Sequence, residues 1–496
     1  MKQLSIVLKY MLAAAAVFFL LVYAAVATVH LQFPFALEWI EGSVFQHVHR
    51  VLSGRPLYVS PSAEFVPAIY PPLYFYIAAA VSRLAGFGFT ALRLVSCSAS
   101  AGFLVLIFCT VRKETGSPFS GLFASGLMAA TYMCCPYFDL ARVDSLFLFF
   151  FLAAAYIIKF NSSWQAAVLA GLLAGCATLT KQTGILLLLP LLIYCLLYRT
   201  LRITAACAVA AAAVAGVAFV CINAVHDGWF AYYIMELPKQ HPVVIEKMND
   251  FWINDIAAVM PAACLGSLVY FFLMRSGKNR EQALFYSLLA GAMVAMACLS
   301  RLKSGGFTNV LMPAYAALSI LFGLSAGACL NHAASQAGRR RHTVGCVVYG
   351  CGLLQMAALL YSPFALLPDP AYARSCRGLV HALARIEGRV FAPAYGYLCI
   401  LAGKEGSAHI GAINDILRGK PGPVRKHLID AIGGSIRQQR FRVIMLDRAF
   451  PWFDSAIKKS YVRVKKGAQS RIPDTRLLKY LYIPRTTAPT QKGTQP

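Results

Sequence analysis

The sequence predicts an α-helical polytopic membrane protein, with about eleven transmembrane helices and outer-face interfacial helices, followed by a C-terminal soluble α/β domain. Three observations carry this. The 496 residues are 59% hydrophobic and 13% charged, with a mean hydropathy of +0.62, which leaves too little polar surface for a water-soluble globule. Apolar runs long enough for a bilayer core of roughly 30 Å recur from Val7 to Tyr361. Beyond Pro363 these runs stop, and short β-like stretches alternate with helical ones.

Taken in order, the spans are expected near residues 7–29, 91–111, 118–135, 143–159, 165–180, 184–198, 203–225, 254–274, 282–299, 309–329 and 343–362. The run from Tyr10 to Val29 is longer than the roughly 7 to 15 residues of a signal-peptide core, so an uncleaved first span is expected. The Ala25-Val26-Ala27 triplet would also permit cleavage, without changing the topology downstream. "YPPLYFYIAAAVSRLAG" (Tyr70 to Gly86) is short and opens with two prolines, so it is expected to lie at the outer interface and not to cross. Lys2, Lys9, Arg112, Lys113, Lys159, Arg199, Arg202, Arg275, Lys278, Arg280 and Arg339 to Arg341 then share one side, which places the amino end in the cytoplasm. Glu38, Glu41, the "FDLARVDS" stretch (Phe138 to Ser145), Lys181, the 223–254 loop, the "SRLKSGGFTN" loop (Ser300 to Asn309) and the carboxyl tail emerge on the other face.

In the tail, "GRVFAPAYGYLCIL" and "FRVIMLD" read as β-like, whereas "YARSCRGLVHALARIEG" and "RKHLIDAIGGSIRQQ" read as helical. From residue 363 on there are 23 Lys and Arg against 8 Asp and Glu, a +15 share of the chain's +26. A basic domain on the outer face suits an anionic lipid or polymer, and no nucleic-acid partner is expected. The organisation is therefore 1–362 as transmembrane catalytic domain, 363–485 as α/β domain and 486–496 as a polar, disordered end. The fifteen cysteines lie mostly in apolar runs without CxxC spacing, so unpaired thiols are expected; Cys376 with Cys399 would be a pairing open to an oxidising compartment.

The acids are few and placed at boundaries. Glu38 and Glu41 are three apart, just outside the first span, and on a helix would share a face. Such a pair is most often a solvated helix start. A second pair, Asp139 and Asp144, stands at another boundary on the same face, with Asp144 running into an apolar helix, where an acid is costly unless paired or functional. Arg142, Lys181 with Gln182, and Arg301 with Lys303 border span ends there too; snorkelling is the common role of such a Lys. Acids and cations converging on one face suit a reaction in which a carboxylate takes a proton while cations hold a phosphate leaving group. The 226–252 loop adds Glu236, Lys239 and His241 beside Trp and Tyr, a pattern shared by interfacial belts and sugar or head-group contacts. His47 and His49, two apart, do not converge on one helical face and are not assigned to a metal.

The acid pair followed by "HRVLSGRPLY", "IYPPLYFYIAA", "LARVDSLFLFFFL" and "LAGLLAGCATLTKQTGILLLLP" resembles the polytopic GT-C glycosyltransferases, which include protein O-mannosyltransferases and aminoarabinose transferases of lipid A. The similarity runs in order over about Leu4 to Thr200. It implies an integral membrane glycosyltransferase of the bacterial cytoplasmic (inner) membrane, transferring a hexose or pentose with inversion from a polyprenyl-phosphate carrier to a hydroxyl of a lipid or glycan acceptor at the outer, periplasmic face. The family's first-loop acid, base or metal ligand, maps onto Glu41, with Glu38 as the alternative; its second-loop acid maps onto Asp144. Asp139, Arg142, Lys181, Gln182, Arg301, Lys303 and His241 are the expected substrate-binding residues. A divalent metal ion is the one cofactor left open, with Glu41 and Asp144 its ligands if it is used. The usual acidic doublet is replaced here by Glu38-Trp39-Ile40-Glu41. The competing class is a transporter or flippase for a lipid-linked sugar, but such proteins tend to show internal repeats and charges within spans, whereas here no repeat is visible and the charges gather at one face.

Overall fold

The computed structural model describes residues 1–275, 279–334, 338–464 and 477–485; the end expected to be disordered, 486–496, lies outside them. The apolar runs fold as helices. The chain opens with α1 (Lys2–Gln32), 31 residues and, at 1.5 Å per residue, about 46 Å long. After it come α2 (Trp39–Leu52), α3 (Leu73–Ala85), α4 (Phe89–Thr115), α5 (Pro118–Ala130), α6 (Val143–Phe160), α7 (Trp164–Thr180) and α8 (Gly184–Tyr198). Their ends follow local chemistry. Gly116, left-handed at φ 69°, stops α4; Ser117 and Ser163 accept the backbone N–H groups of Ser120 and Ala166 to start α5 and α7.

Among the described residues, six helices are long and apolar enough to cross a membrane: α1, α4, α6, Leu201–Val225, Arg280–Leu302 and Thr308–Ala334. Two bent pairs, Lys247–Ala257 with Pro261–Met274 (86°) and Arg339–Ala358 with Pro363–Ala384 (47°), bring this to at most eight, if each pair is one broken span. Three of the expected spans, α5, α7 and α8, have 13, 17 and 15 residues, against about 20 for a full crossing. The stretch expected at the interface forms the 13-residue α3.

The interior of the bundle is one apolar cluster from Leu12 to Leu359. At its centre runs Met312–Ala334, whose small residues admit close neighbours: a Cβ added to Gly323 would overlap Ala124, and one on Gly327 would overlap Thr115. Leu21, Leu196, Val220, Phe272 and Leu354 are exposed on the outside, the surface a lipid solvent would cover.

The C-terminal segment builds a four-stranded sheet in the order β1-β2-β4-β3, from β1 (Arg389–Phe391), β2 (Phe441–Leu446), β3 (Tyr461–Arg463) and β4 (Tyr480–Pro484). β1 and β2 are parallel, while β4 is antiparallel to both its neighbours. Only the start of "GRVFAPAYGYLCIL" is strand; Gly396–Leu401 is helical, and its buried Tyr397 packs edge-on against Phe89 at 5.4 Å. The helical readings of "YARSC…" and "RKHLI…" correspond to Pro370–Ala384 and Pro423–Arg437. A second apolar cluster runs without a break from Phe33, Phe45, Tyr74 and Phe89 to Ile444 and Leu481, so the sheet and the loops at that end of the bundle share a core. All fifteen cysteines are free, Cys376 and Cys399 included.

Candidate active site

The site forms at the end of the bundle where α2 leaves α1. Glu38 caps α2, its Oε2 accepting the Ile40 N–H at 2.9 Å. The same oxygen accepts from Arg142 Nη1 at 3.0 Å, and Arg142 Nε donates to Asp144 Oδ2 at 3.2 Å. Asp144 Oδ1 takes Lys181 Nζ at 2.8 Å and Asn309 Nδ2 at 2.9 Å. The chain Glu38–Arg142–Asp144–Lys181 therefore joins residues 143 positions apart in sequence through side-chain contacts alone.

Glu41, expected above as the base, is bound otherwise. Its Oε1 accepts from Arg93 Nε at 2.9 Å and the Ala141 N–H at 2.7 Å; its Oε2 accepts from Arg93 Nη2 and the Leu37 N–H, both at 2.7 Å. Both Glu41 and Arg93 are fully buried. Burial alone would raise the Glu41 carboxyl, but the Arg93 guanidinium and these N–H groups overcome it and hold the carboxyl below its ordinary value. Arg93 also donates to the carbonyls of His30, Phe33 and Phe35, so the pair fastens the turn between α1 and α2. Glu38 differs: its side chain keeps 17% of its surface exposed, and burial, opposed by Arg142 and aided by Glu41, raises its carboxyl.

Two cavities meet at this point. The larger, about 640 Å³, is lined by His30, Glu38, Trp39, Tyr137, Tyr397 and Arg448 among others. The smaller, about 90 Å³, is lined by Trp39, Tyr70, Arg142, Lys181, Asn309, Asp415 and Arg418 among others. Trp39 is a wall of both, stacked at 5.8 Å on His409, the residue that caps Ile410–Leu417. An acid thus faces the wide cavity and cations face the narrow one.

The other expected residues divide. Asp139 is fully buried, its oxygens accepting from His30 Nδ1 at 2.6 Å and the Tyr132 hydroxyl at 2.5 Å, which ties it into the bundle interior. Gln182 donates to the Ile69 carbonyl at 2.9 Å, while its buried Oε1 has no partner. Arg301 is paired with Asp255 at 2.7 Å and holds the Gly306 carbonyl. Lys303 Nζ donates to the His241 carbonyl at 3.3 Å, and His241 Nε2 to the Asp415 carbonyl at 2.8 Å. Arg301, Lys303 and His241 therefore support the cavity wall. Glu236 and Lys239 pair with each other on the surface.

A divalent ion does not fit the residues expected to hold it. The Glu41 oxygens take four donors, from Arg93 and two N–H groups, and Asp144 stands against the cations Lys181 and Arg142 with Asn309 as a third donor. Among the described residues no group of three His, Cys, Asp or Glu could hold a metal. Sequence reasoning missed Arg93, Asn309, Asp415 and Arg418. Arg93 offered a signal, being the one cation near the start of an otherwise apolar span, "FTALRLVS".

Residues 70–226 match the family model of dolichyl-phosphate-mannose-protein mannosyltransferases, a stretch that holds Arg142, Asp144 and Lys181. The fold is similar to that of ArnT from Cupriavidus metallidurans bound to undecaprenyl phosphate, at a TM-score of 0.60 and 14% identity, covering 94% of this chain and 97% of that one. The chain has the GT-C glycosyltransferase fold. A second GT-C relative in structure is the archaeal oligosaccharyltransferase AglB from Archaeoglobus fulgidus, in complex with an inhibitory peptide and a dolichol-phosphate, at a TM-score of 0.52 and 10% identity over 90% of this chain and 69% of that one. Comparison with curated protein sequences gives no match. The family match begins at Tyr70 and so leaves out the first-loop acids, whose arrangement is known here from geometry alone.

Proposed function

We propose that the protein transfers a sugar from a polyprenyl-phosphate carrier to an acceptor hydroxyl, and that Glu38 is the base. The observation that carries this is the position of Glu38 on the wide cavity, one guanidinium away from the cations of the narrow one. The acceptor, a lipid or glycan, enters the wide cavity. Its hydroxyl gives its proton to Glu38, and its oxygen attacks the sugar's C1 from the face opposite the phosphate. The C1–O bond breaks with its electron pair going to the phosphate, whose growing charge Arg142 and Lys181 stabilise. A carboxyl raised by burial is a stronger base than a free one, which favours Glu38 over the clamped Glu41. Asp144 orients Arg142 and Lys181.

The family match over 70–226 and the similarity to ArnT and AglB, solved with undecaprenyl phosphate and dolichol-phosphate, support a polyprenyl-phosphate donor. Inversion follows from a single displacement. On the placement of Lys and Arg, the site opens on the outer, non-cytoplasmic face of the membrane. Membranes containing the Glu38→Gln variant, supplied with labelled polyprenyl-phosphate sugars, should bind carrier but lose transfer by about 10²- to 10⁴-fold. Wild-type transfer by that variant would remove Glu38 from the role.

A further inference from the structure

The narrow cavity is closed by residues that arrive from far away in the chain. Ile410–Leu417 lays Gly411, Ala412 and Asp415 against it, and Arg418 follows at the helix end. Arg418 is set firmly in place: Nε donates to the Asn414 carbonyl at 3.1 Å and Nη1 to the Ser304 carbonyl at 3.0 Å. The backbone opposite is shaped to receive it. Gly305 has φ +88°, a left-handed conformation, and a Cβ built there would overlap Arg418 Nη1, so glycine is required by both the torsion and the guanidinium. Asp415 is less committed. Its partner is Arg418 at 3.3 Å, whereas Asp144, behind the cavity-lining Arg142, Lys181 and Asn309, has all three as donors. Burial raises the Asp415 carboxyl to about 6 against the pull of Arg418, the sign of an under-bonded acid.

We propose that Arg418 and Asp415 are donor-binding residues contributed by the C-terminal segment, Arg418 taking the carrier phosphate and Asp415 accepting a hydroxyl of the attached sugar. This rests on the polyprenyl-phosphate reading above. The phosphate competes with Asp415 for the guanidinium that faces both. The carboxylate so released, standing among Arg142, Lys181 and a bound anion, requires a hydrogen-bond donor, and a sugar hydroxyl supplies one. An acid that can be left under-bonded when the sugar is absent is a means of telling a loaded carrier from an empty one.

The two residues should respond in opposite ways, which a merely structural role would not produce. Full-length protein in detergent or nanodiscs is titrated with undecaprenyl phosphate and with undecaprenyl phosphate bearing a hexose or a pentose, with melting temperature as the control for folding. Arg418→Gln and Gly305→Ala should weaken both carriers by about tenfold. Asp415→Ala should weaken the sugar-bearing carrier preferred by the wild type by about tenfold and leave the bare carrier unchanged or tighter. Asp415→Asn, which keeps an acceptor oxygen and the side-chain volume, should fall between and stands in if the Ala variant does not fold. Equal loss for both carriers in the Asp415 variants, or an unchanged Kd for bare carrier in Arg418→Gln, overturns the proposal. A wild-type protein that binds neither carrier overturns the donor reading itself, and with it this assignment.

Discussion

Replacing Glu41 by Gln tests whether the first-loop acids are divided as clamp and base. The amide keeps the shape but removes the charge opposite Arg93, a guanidinium with no exposed surface. One Gln oxygen accepts where two carboxylate oxygens took four donors, and the amide nitrogen points a hydrogen toward either Arg93 or a backbone N–H. Breaking a buried ion pair by removing one partner costs about 3–5 kcal/mol, because the other charge stays buried and uncompensated. Glu38→Gln, at a partly exposed side chain, keeps an oxygen to cap the helix and should lose less than the about 0.5–2 kcal/mol of removing a cap outright. Thermal unfolding of both variants in detergent, with transfer measured below the lower transition, separates them. Glu41→Gln should melt well below wild type yet turn over in proportion to its folded fraction. Glu38→Gln should melt close to wild type and lose turnover. If Glu41→Gln melts as wild type and is inactive while Glu38→Gln transfers normally, the roles are reversed.

The raised Glu38 carboxyl sets a pH dependence: a base works only when deprotonated, so kcat/KM should fall with decreasing pH at a midpoint above the ordinary carboxylate value. Since Arg142 lowers that carboxyl, Arg142→Gln should move the midpoint further up, and a profile in which it moves down would contradict the pairing. Lys181→Ala leaves Asp144 with two of its three donors and should reduce both carrier affinity, read as the Kd for undecaprenyl phosphate, and transfer rate; an effect on neither would exclude Lys181 from the site. Gly126→Ala places a Cβ 2.5 Å from the Ala16 backbone where α1 and α5 cross, so it should cost about 1–3 kcal/mol in melting experiments without changing the KM of the folded fraction. A reporter fused to the carboxyl end should behave as one outside the cytoplasm, and a cytoplasmic signal from a stable fusion would invert the topology.

Much of the bundle was legible because a bilayer imposes a length and a composition on any helix that crosses it. The helix positions follow the apolar runs closely, and the number of full crossings is less plain, since α5, α7 and α8 have 13, 17 and 15 residues against about 20 for an untilted crossing. The convergence of Glu38, Arg142, Asp144 and Lys181 was also readable, because topology alone delivers them to one end. The different bonding of the two glutamates was not. Their difference depends on Arg93, more than fifty residues away, and on the Ala141 and Leu37 N–H groups, which no spacing rule reveals. Arg418 and Asp415 were hidden for the same reason, in a segment whose charge pattern gave only a basic excess. Asp139 stands at a boundary as a functional acid does, and its bonds to His30 and Tyr132 are equally invisible to spacing.

On the proposed mechanism, the ion chain also explains why base and leaving group should share one arginine. Arg142, Lys181 and Arg418 line the narrow cavity with Asp415, and the ion pairs behind them bring in Glu38 and Asp144, so three carboxylates balance three cations. A sugar-bearing phosphodiester brings one negative charge, and the departing phosphomonoester would carry close to two. The proton that Glu38 takes from the acceptor removes one carboxylate charge in the same step, so the total is unchanged while its location moves. Arg142 is bonded to the carboxylate that loses charge and lines the cavity where charge appears. As its bond to Glu38 weakens, its field becomes available to the phosphate without any movement of the backbone, which is the form of stabilisation that requires least reorganisation. A lysine in its place would offer a single charge centre without the second nitrogen that now holds Asp144, which is why a planar, multiply donating cation suits this position.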